Sequence, residues 1–118
     1  MVDDAHGLGV LGKHGRGTAE HFNLEDDVDI IMGTFSKSLA SLGGYMAASK
    51  DVCEYVKHVS RPFIFSASIT PANVACAMKS LEILKREPNR VEDLHNISQY
   101  VRNGLKRAGI DIIESETP

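Results

Sequence analysis

The sequence predicts an α/β fold in which a short core strand hands a lysine to the carboxyl end of a sheet. Three observations carry this. Val28-Asp29-Ile30-Ile31-Met32 is an apolar-leaning run closed by Gly33, the pattern of a buried strand. Lys37 follows at once, within Gly33-Thr34-Phe35-Ser36-Lys37-Ser38 and ahead of the small-residue segment Leu39 to Gly44. Surface lysines usually sit on polar helix faces, whereas open α/β sheets hold ligands beyond the carboxyl ends of their strands. Downstream, apolar residues recur at helical spacing in three segments punctuated by caps and breakers.

Taken in order, Val2-Asp3 reads as the end of a strand. Gly7, Gly9, Gly12, Gly15 and Gly17 keep the chain turning to about Thr18, a tight crossing loop matching no nucleotide-binding fingerprint. Glu25-Asp26-Asp27 reads as a solvated acidic loop. After the lysine turn, Gly44 to Ala48 is a return strand. Ser49 caps a helix over about 50–60, with Val52, Tyr55, Val56 and Val59 on its apolar face. Arg61-Pro62 breaks it, and Phe63-Ile64-Phe65 reads as extended. Thr70 then Pro71 opens the next helix, striped by Val74, Met78, Leu81 and Leu84 and ended by Pro88. Asn89, with Glu92 three residues on, caps a third helix striped by Val91, Leu94, Ile97, Val101 and Leu105. Gly109 is its C′ residue, and Ile110 to Ile113 begins a strand.

The composition supports a packed domain: 118 residues, 42% of them hydrophobic. The formal net charge of −3, with basic residues dispersed among acids, excludes a basic face for nucleic acid or anionic membrane. No apolar run reaches membrane-spanning length and no signal-peptide pattern opens the chain. Cys53 and Cys76 fall at apolar helical positions without metal-ligand spacing. They read as buried free thiols of a reducing compartment, the cytoplasm.

The chemistry gathers at two stretches. A partly desolvated lysine loses its proton readily and forms Schiff bases with aldehydes. Thr34, Ser36 and Ser38 add hydroxyls on a turn with free N–H groups, a cradle for phosphate. Aldehyde and phosphate together point to pyridoxal phosphate. At the start of the chain, Asp3 and His6 stand three residues apart beyond a strand end. A carboxylate keeps that cofactor's ring nitrogen protonated; an imidazole hydrogen-bonds its phenolic oxygen or stacks on its ring. The plain alternative is an exposed lysine on a polar turn, an Asx turn at Asp3 and Asp4, and a loop histidine. His14, His21 and Glu20 fit no standard metal spacing and read as exposed loop residues.

Asp3-Asp4-Ala5-His6, the following Gly9-Val10-Leu11-Gly12 and Gly15-Arg16-Gly17, then Gly33 to Ser38, Gly43-Gly44-Tyr45 and Arg61 to Ser68 resemble the α-oxoamine synthases. The resemblance spans nearly the whole chain and holds the motifs in the family's order. It implies part of the large domain of a fold-type I, aspartate aminotransferase-like enzyme: a three-layer, mostly parallel sheet with helices. Residues 1–108 would be the central part of the pyridoxal-phosphate-binding domain, and 109–118 the start of a small carboxy-terminal domain. The implied reaction is decarboxylative condensation of an amino acid with an acyl-CoA thioester. Gly33 to Ser38 with Gly43-Gly44 look most like the bacterial branch that joins L-serine to a palmitoyl thioester.

Carried over residue by residue, Lys37 resembles the lysine that forms the internal aldimine, and Asp3 the partner of the ring nitrogen. His6 resembles the contact to the phenolic oxygen, and Thr34 and Ser36 the phosphate contacts. Ser66 and Ser68 resemble the segment that reaches the phosphate of a neighbouring subunit, implying a homodimer with its site at the interface. His14 and Arg16 are expected near the acyl-CoA entrance. Gly7 departs from the family, where a serine often follows the histidine. The resemblance also implies a glycine-rich loop and a stacking side chain upstream of Met1, and a carboxylate-binding arginine beyond Pro118. The isolated chain is therefore expected to be inactive. The rival readings are a family branch using glycine or alanine, and an interaction-only α/β fragment.

Overall fold

The computed structural model describes all 118 residues. Strand β1 (Val2–Asp3) leads through the glycine loop to helix α1 (Thr18–Phe22) and a 3₁₀ turn at Glu25–Asp27. Strands β2 (Ile30–Thr34) and β3 (Gly44–Ala48) follow, then α2 (Lys50–Val59), α3 (Arg61–Ile64), α4 (Pro71–Arg86) and α5 (Asn89–Arg107). The α/β class stands. The sheet is small and mixed, in the order β1-β2-β3. β1 runs parallel to β2, with Val2 beside Ile31 and Asp3 beside Met32. β3 returns antiparallel, Ile30 opposite Ala48 through Thr34 opposite Gly44.

That parallel pair sets up everything after it. Two neighbouring parallel strands end at the same sheet edge, so the Asp3–His6 corner and the lysine turn emerge together. Asp4 extends the pairing by one bond, its N–H donating to the Met32 carbonyl at 2.7 Å. Gly33 is buried because the Tyr45 ring lies over it; a Cβ there would stand about 2.5 Å from that ring. Tyr45 in turn stacks on Phe35, with centroids 5.8 Å apart.

The helix starts follow their local chemistry. Ser49 caps α2 by accepting from Val52 N at 3.4 Å, and Thr70 caps α4 by accepting from Asn73 N at 3.3 Å. Three other expectations are corrected. Phe63-Ile64-Phe65 is not extended. Pro62 sits in the first turn of α3, where no N–H is needed, and Ile64 and Phe65 donate back to Ser60 and Arg61 at 3.0 Å. Pro88, not Asn89, caps α5; Asn89 is its first residue and donates to Asp93 at 3.2 Å, so no box forms with Glu92. Ile110–Ile113 forms no strand, since none of the three strands lies beside it to take its hydrogen bonds. Gly109 does act as C′: at φ 73° it donates to Lys106, while Ile110 donates to Leu105, a Schellman ending.

Only nine of 118 residues are buried, among them Ala19, Leu39, Ala77 and Val91, so of the expected helical stripes Val91 alone is fully core. Tyr55, Met78, Ile97 and Val101 stand exposed. α4 turns Ala77, Ser80, Leu81 and Leu84 inward, so Leu81 and Leu84 of the expected stripe are half-buried while Val74 and Met78 stand exposed. Cys53 is half-buried and Cys76 exposed, so neither is the buried thiol that the apolar spacing suggests.

The glycine loop is held from inside by Glu20 of α1. Its carboxylate, 10% exposed, accepts from the His14 and Arg16 main chain at 3.1 and 3.0 Å and from His14 Nδ1. Burial opposes its ionisation. The bonds from Arg16 and His14 outweigh that, and its carboxyl sits below the ordinary 4.5. Glu20 therefore stabilises the fold fully above pH 4.5, and this is lost as pH falls through the lowered folded value. We expect Glu20→Gln to cost about 1–2 kcal/mol in urea unfolding at pH 7. The deficit relative to wild type should shrink as the pH is taken below the carboxylate range.

Candidate functional site

The lysine turn is an irregular loop braced at its far end. Phe35 N donates to Gly43 O at 2.9 Å and Ser41 N to Phe35 O at 2.8 Å, closing the loop over Lys37. Leu39 is buried, and the Ser41 hydroxyl donates to the Asn73 carbonyl of α4 at 2.7 Å. Ala40 is held at φ 49°, a left-handed conformation that costs a residue with a Cβ about 1 kcal/mol or more. Its carbonyl accepts from Cys76 Sγ at 3.5 Å. These contacts hold the backbone while leaving Lys37 exposed and outside every ion pair of the chain.

Lys37, Asp3 and His6 line one cleft of about 780 Å³, within the usual range for small-ligand and cofactor sites. Asp4, Val10 and Leu94 line it too. Asp3 is exposed and accepts from Ala5 N at 3.1 Å, an Asx turn that shapes the corner and leaves the second carboxylate oxygen free. The Asx turn and the cleft-facing carboxylate are thus both realised in one residue. α5 reaches the same wall: His95 Nε2 donates to the Val10 carbonyl at 2.7 Å, fixing the tautomer of the ring. The chain's last residues lie against the cleft through Thr117 and Pro118, with Arg102 donating to the Ser115 and Thr117 carbonyls.

Thr34 and Ser36 are not among the cleft's lining residues. The Thr34 hydroxyl donates to Gly43 O at 3.1 Å and accepts from Ser36 N at 3.2 Å. With its proton spent, its 2.8 Å contact to Ser36 Oγ is a bond donated by Ser36. The two hydroxyls therefore sit together beside the lysine turn. Ser66 and Ser68 are exposed on the segment between α3 and α4 and do not reach the cleft. His14 and Arg16 line a separate, polar cleft of about 990 Å³ between the glycine loop and α5, paired there to Glu20 and Glu25.

Two residues around the site escape a reading from sequence, of which only Asp4 lines the cleft. Asp4 is 3% exposed, and its carboxylate accepts from Thr18 N at 3.0 Å and from the Thr18 hydroxyl. Tyr45, on β3, has its phenol pushed above 10.0 by burial and by the Asp4 charge. Alternation along β1 could have flagged Asp4, but two adjacent aspartates at a strand end do not say which one turns inward.

Aminotransferase class I and II is the family whose pattern matches residues 1–118. A serine palmitoyltransferase of Sphingobacterium spiritivorum is 55% identical over 118 residues, all of this chain and 30% of that protein. An 8-amino-7-oxononanoate synthase of Thermosipho melanesiensis is 48% identical over the same span, again 30% of its length. The solved Sphingomonas wittichii serine palmitoyltransferase superposes with a TM-score of 0.88 at 38% identity, over 98% of this chain and 29% of that one. A structure of SPT with PLP superposes with a TM-score of 0.87 at 37% identity, over 94% of this chain and 28% of that one. The chain thus spans about 30% of the length of the curated relatives it matches. With a family match from end to end and a lysine, a carboxylate and an imidazole on one cleft, the chain belongs to the aminotransferase class I and II family.

Proposed function

We propose that this chain is the cofactor-bearing part of a pyridoxal-phosphate-dependent acyltransferase that condenses L-serine with a long-chain acyl-CoA thioester and releases carbon dioxide. The observation that carries the reading is the convergence of Lys37, Asp3 and His6 on one cleft. The donor set fits the cofactor: an amine for its aldehyde, a carboxylate for its ring nitrogen, an imidazole for its phenolic oxygen or ring face. Bound there, the cofactor supplies an electron sink for negative charge at the amino acid's α-carbon.

The chain's own residues then divide the work. Lys37 would hold the cofactor through its amine and, as a free amine, would move a proton at the α-carbon. The free oxygen of Asp3 keeps the ring nitrogen protonated. His6 orients the ring. Thr34 and Ser36 are the phosphate hydroxyls, and Ser36 needs only to swing its proton away from Thr34 to serve. Ser66 and Ser68 are assigned to the site of a second copy, which their exposure beyond the cleft of their own chain supports. On this reading residues 1–108 form the central part of the large domain and 109–118 open the small one. No helix is long and apolar enough to cross a membrane, and with two free cysteines we assign the protein to the cytoplasm.

A second reading has specific support. The 8-amino-7-oxononanoate synthase relative is nearly as similar, so the amino donor is the open variable between the branches, glycine-using 2-amino-3-ketobutyrate CoA ligase included. In the full-length protein, Lys37→Ala should abolish the visible absorbance of the lysine-bound cofactor and lower kcat by at least about 10²-fold. A spectrum identical to wild type would remove Lys37 from its role. Pairing serine, alanine and glycine with long- and short-chain acyl-CoA thioesters, and following carbon dioxide release, should give turnover with serine and a long chain. Turnover only with alanine or glycine would move the protein to a sister branch.

A further inference from the structure

We propose that Asp4 is a positioning residue for the cofactor cleft, a buried carboxylate that clamps α1 to the Asp3–His6 corner and thereby requires glycine at position 7. The proposal rests on the functional reading above, since the cleft it shapes is the cofactor's.

Asp4 is the one buried charged residue of the chain, and no cation pairs with it. An unpaired buried carboxylate is costly unless its oxygens are saturated with hydrogen bonds. Thr18 provides them from the first residue of α1. Its N–H lies 3.1 and 3.0 Å from the two oxygens, and its hydroxyl donates to Oδ1. The Asp4 main chain is engaged just as fully. Its N–H donates to Met32 of β2, and its carbonyl accepts from Gly7 N at 3.0 Å and Leu8 N at 3.3 Å. One residue therefore joins β1, β2, α1 and the turn that carries His6, with Asp3 immediately before it.

The space around the carboxylate is closed. A Cβ placed at Gly7 would overlap Asp4 Oδ1 and stand 2.9 Å from the Thr18 hydroxyl. A Cβ at Gly17 would overlap Oδ2, at a φ of 104° that already disfavours any other residue. Both glycines are buried. The glycine after His6 is thus the steric counterpart of the buried aspartate four places into the chain. It is not merely a lost hydroxyl. Because the carboxylate fills that volume, the turn bearing His6 has one shape, and the imidazole and the Asp3 carboxylate enter the cleft from a fixed wall.

The test uses the full-length protein, stripped of cofactor and titrated with pyridoxal phosphate. Asp4→Ala should weaken binding at least about tenfold and alter the visible circular dichroism of the bound cofactor. Thr18→Val, which keeps the charge and shape but removes the hydroxyl donor, should move both readouts less and in the same direction. Gly7→Ala should reproduce the Asp4→Ala effect, and adding it to Asp4→Ala should cost nothing further. Variants that melt at lower temperature yet bind the cofactor with unchanged affinity and dichroism would reduce Asp4 to a structural residue and overturn the proposal. Should Asp4→Ala not fold, Thr18→Val and Gly7→Ala alone decide the matter by the same two readouts. Wild type that fails to bind pyridoxal phosphate would instead overturn the functional reading, a result separate from these.

Discussion

The pairing of β1 with β2 is the constraint on which the rest of this structure depends. It is short, two residues in register and one further bond from Asp4 to Met32. Yet it brings together two stretches separated by the whole glycine loop. Parallel strands cannot be joined by a tight turn, so the intervening chain has to cross over and return. The glycines make that crossing compact, and Glu20 and Asp4 each tie it to α1 from opposite sides. Without this pairing Lys37 and Asp3 would stand on separate loops with no cleft in common.

Around that frame, reactive groups stand on irregular backbone while regular elements hold it in place. The lysine turn spends its hydrogen bonds on itself and on α4, and it carries a strained Ala40 three residues after Lys37. The corner at Asp3 and His6 is a turn, braced by β2 below and α1 behind. Precision at such sites comes from the shell around the reactive group rather than from the group itself. Here the shell is made of main-chain carbonyls, the buried Asp4 carboxylate just past β1, the half-buried Glu20 carboxylate of α1, and a histidine of α5 holding Val10.

The contrast between this ordered corner and the apolar helix faces is instructive. Tyr55, Phe63, Met78 and Ile97 stand in solvent while Asp4, a charge, is buried. Hydrophobic burial needs a broad opposing surface, and a three-stranded sheet does not cover helices of 10, 16 and 19 residues. Hydrogen-bonded corners need only a few atoms nearby. The cleft is therefore set locally, whereas most of the apolar stripe residues stand exposed.

The amino-acid order was enough to find β2 to within two residues (it runs on through Gly33 to Thr34), the lysine turn, the caps at Ser49 and Thr70 and the Gly109 ending, and to single out Asp3, His6 and Lys37, which line one cleft. Each is a local signal: a glycine after an apolar run, a hydroxyl before a helix, a reactive side chain beyond a strand end. Tertiary structure alone decided which of two adjacent aspartates is buried, which face of α4 turns inward, and that Arg61–Ile64 closes into a helical turn. It also decided that Thr34 and Ser36 bond to one another and that Ser66 and Ser68 lie away from their own chain's cleft. Those outcomes depend on what lies across from a residue in space, and spacing along a chain carries no record of that.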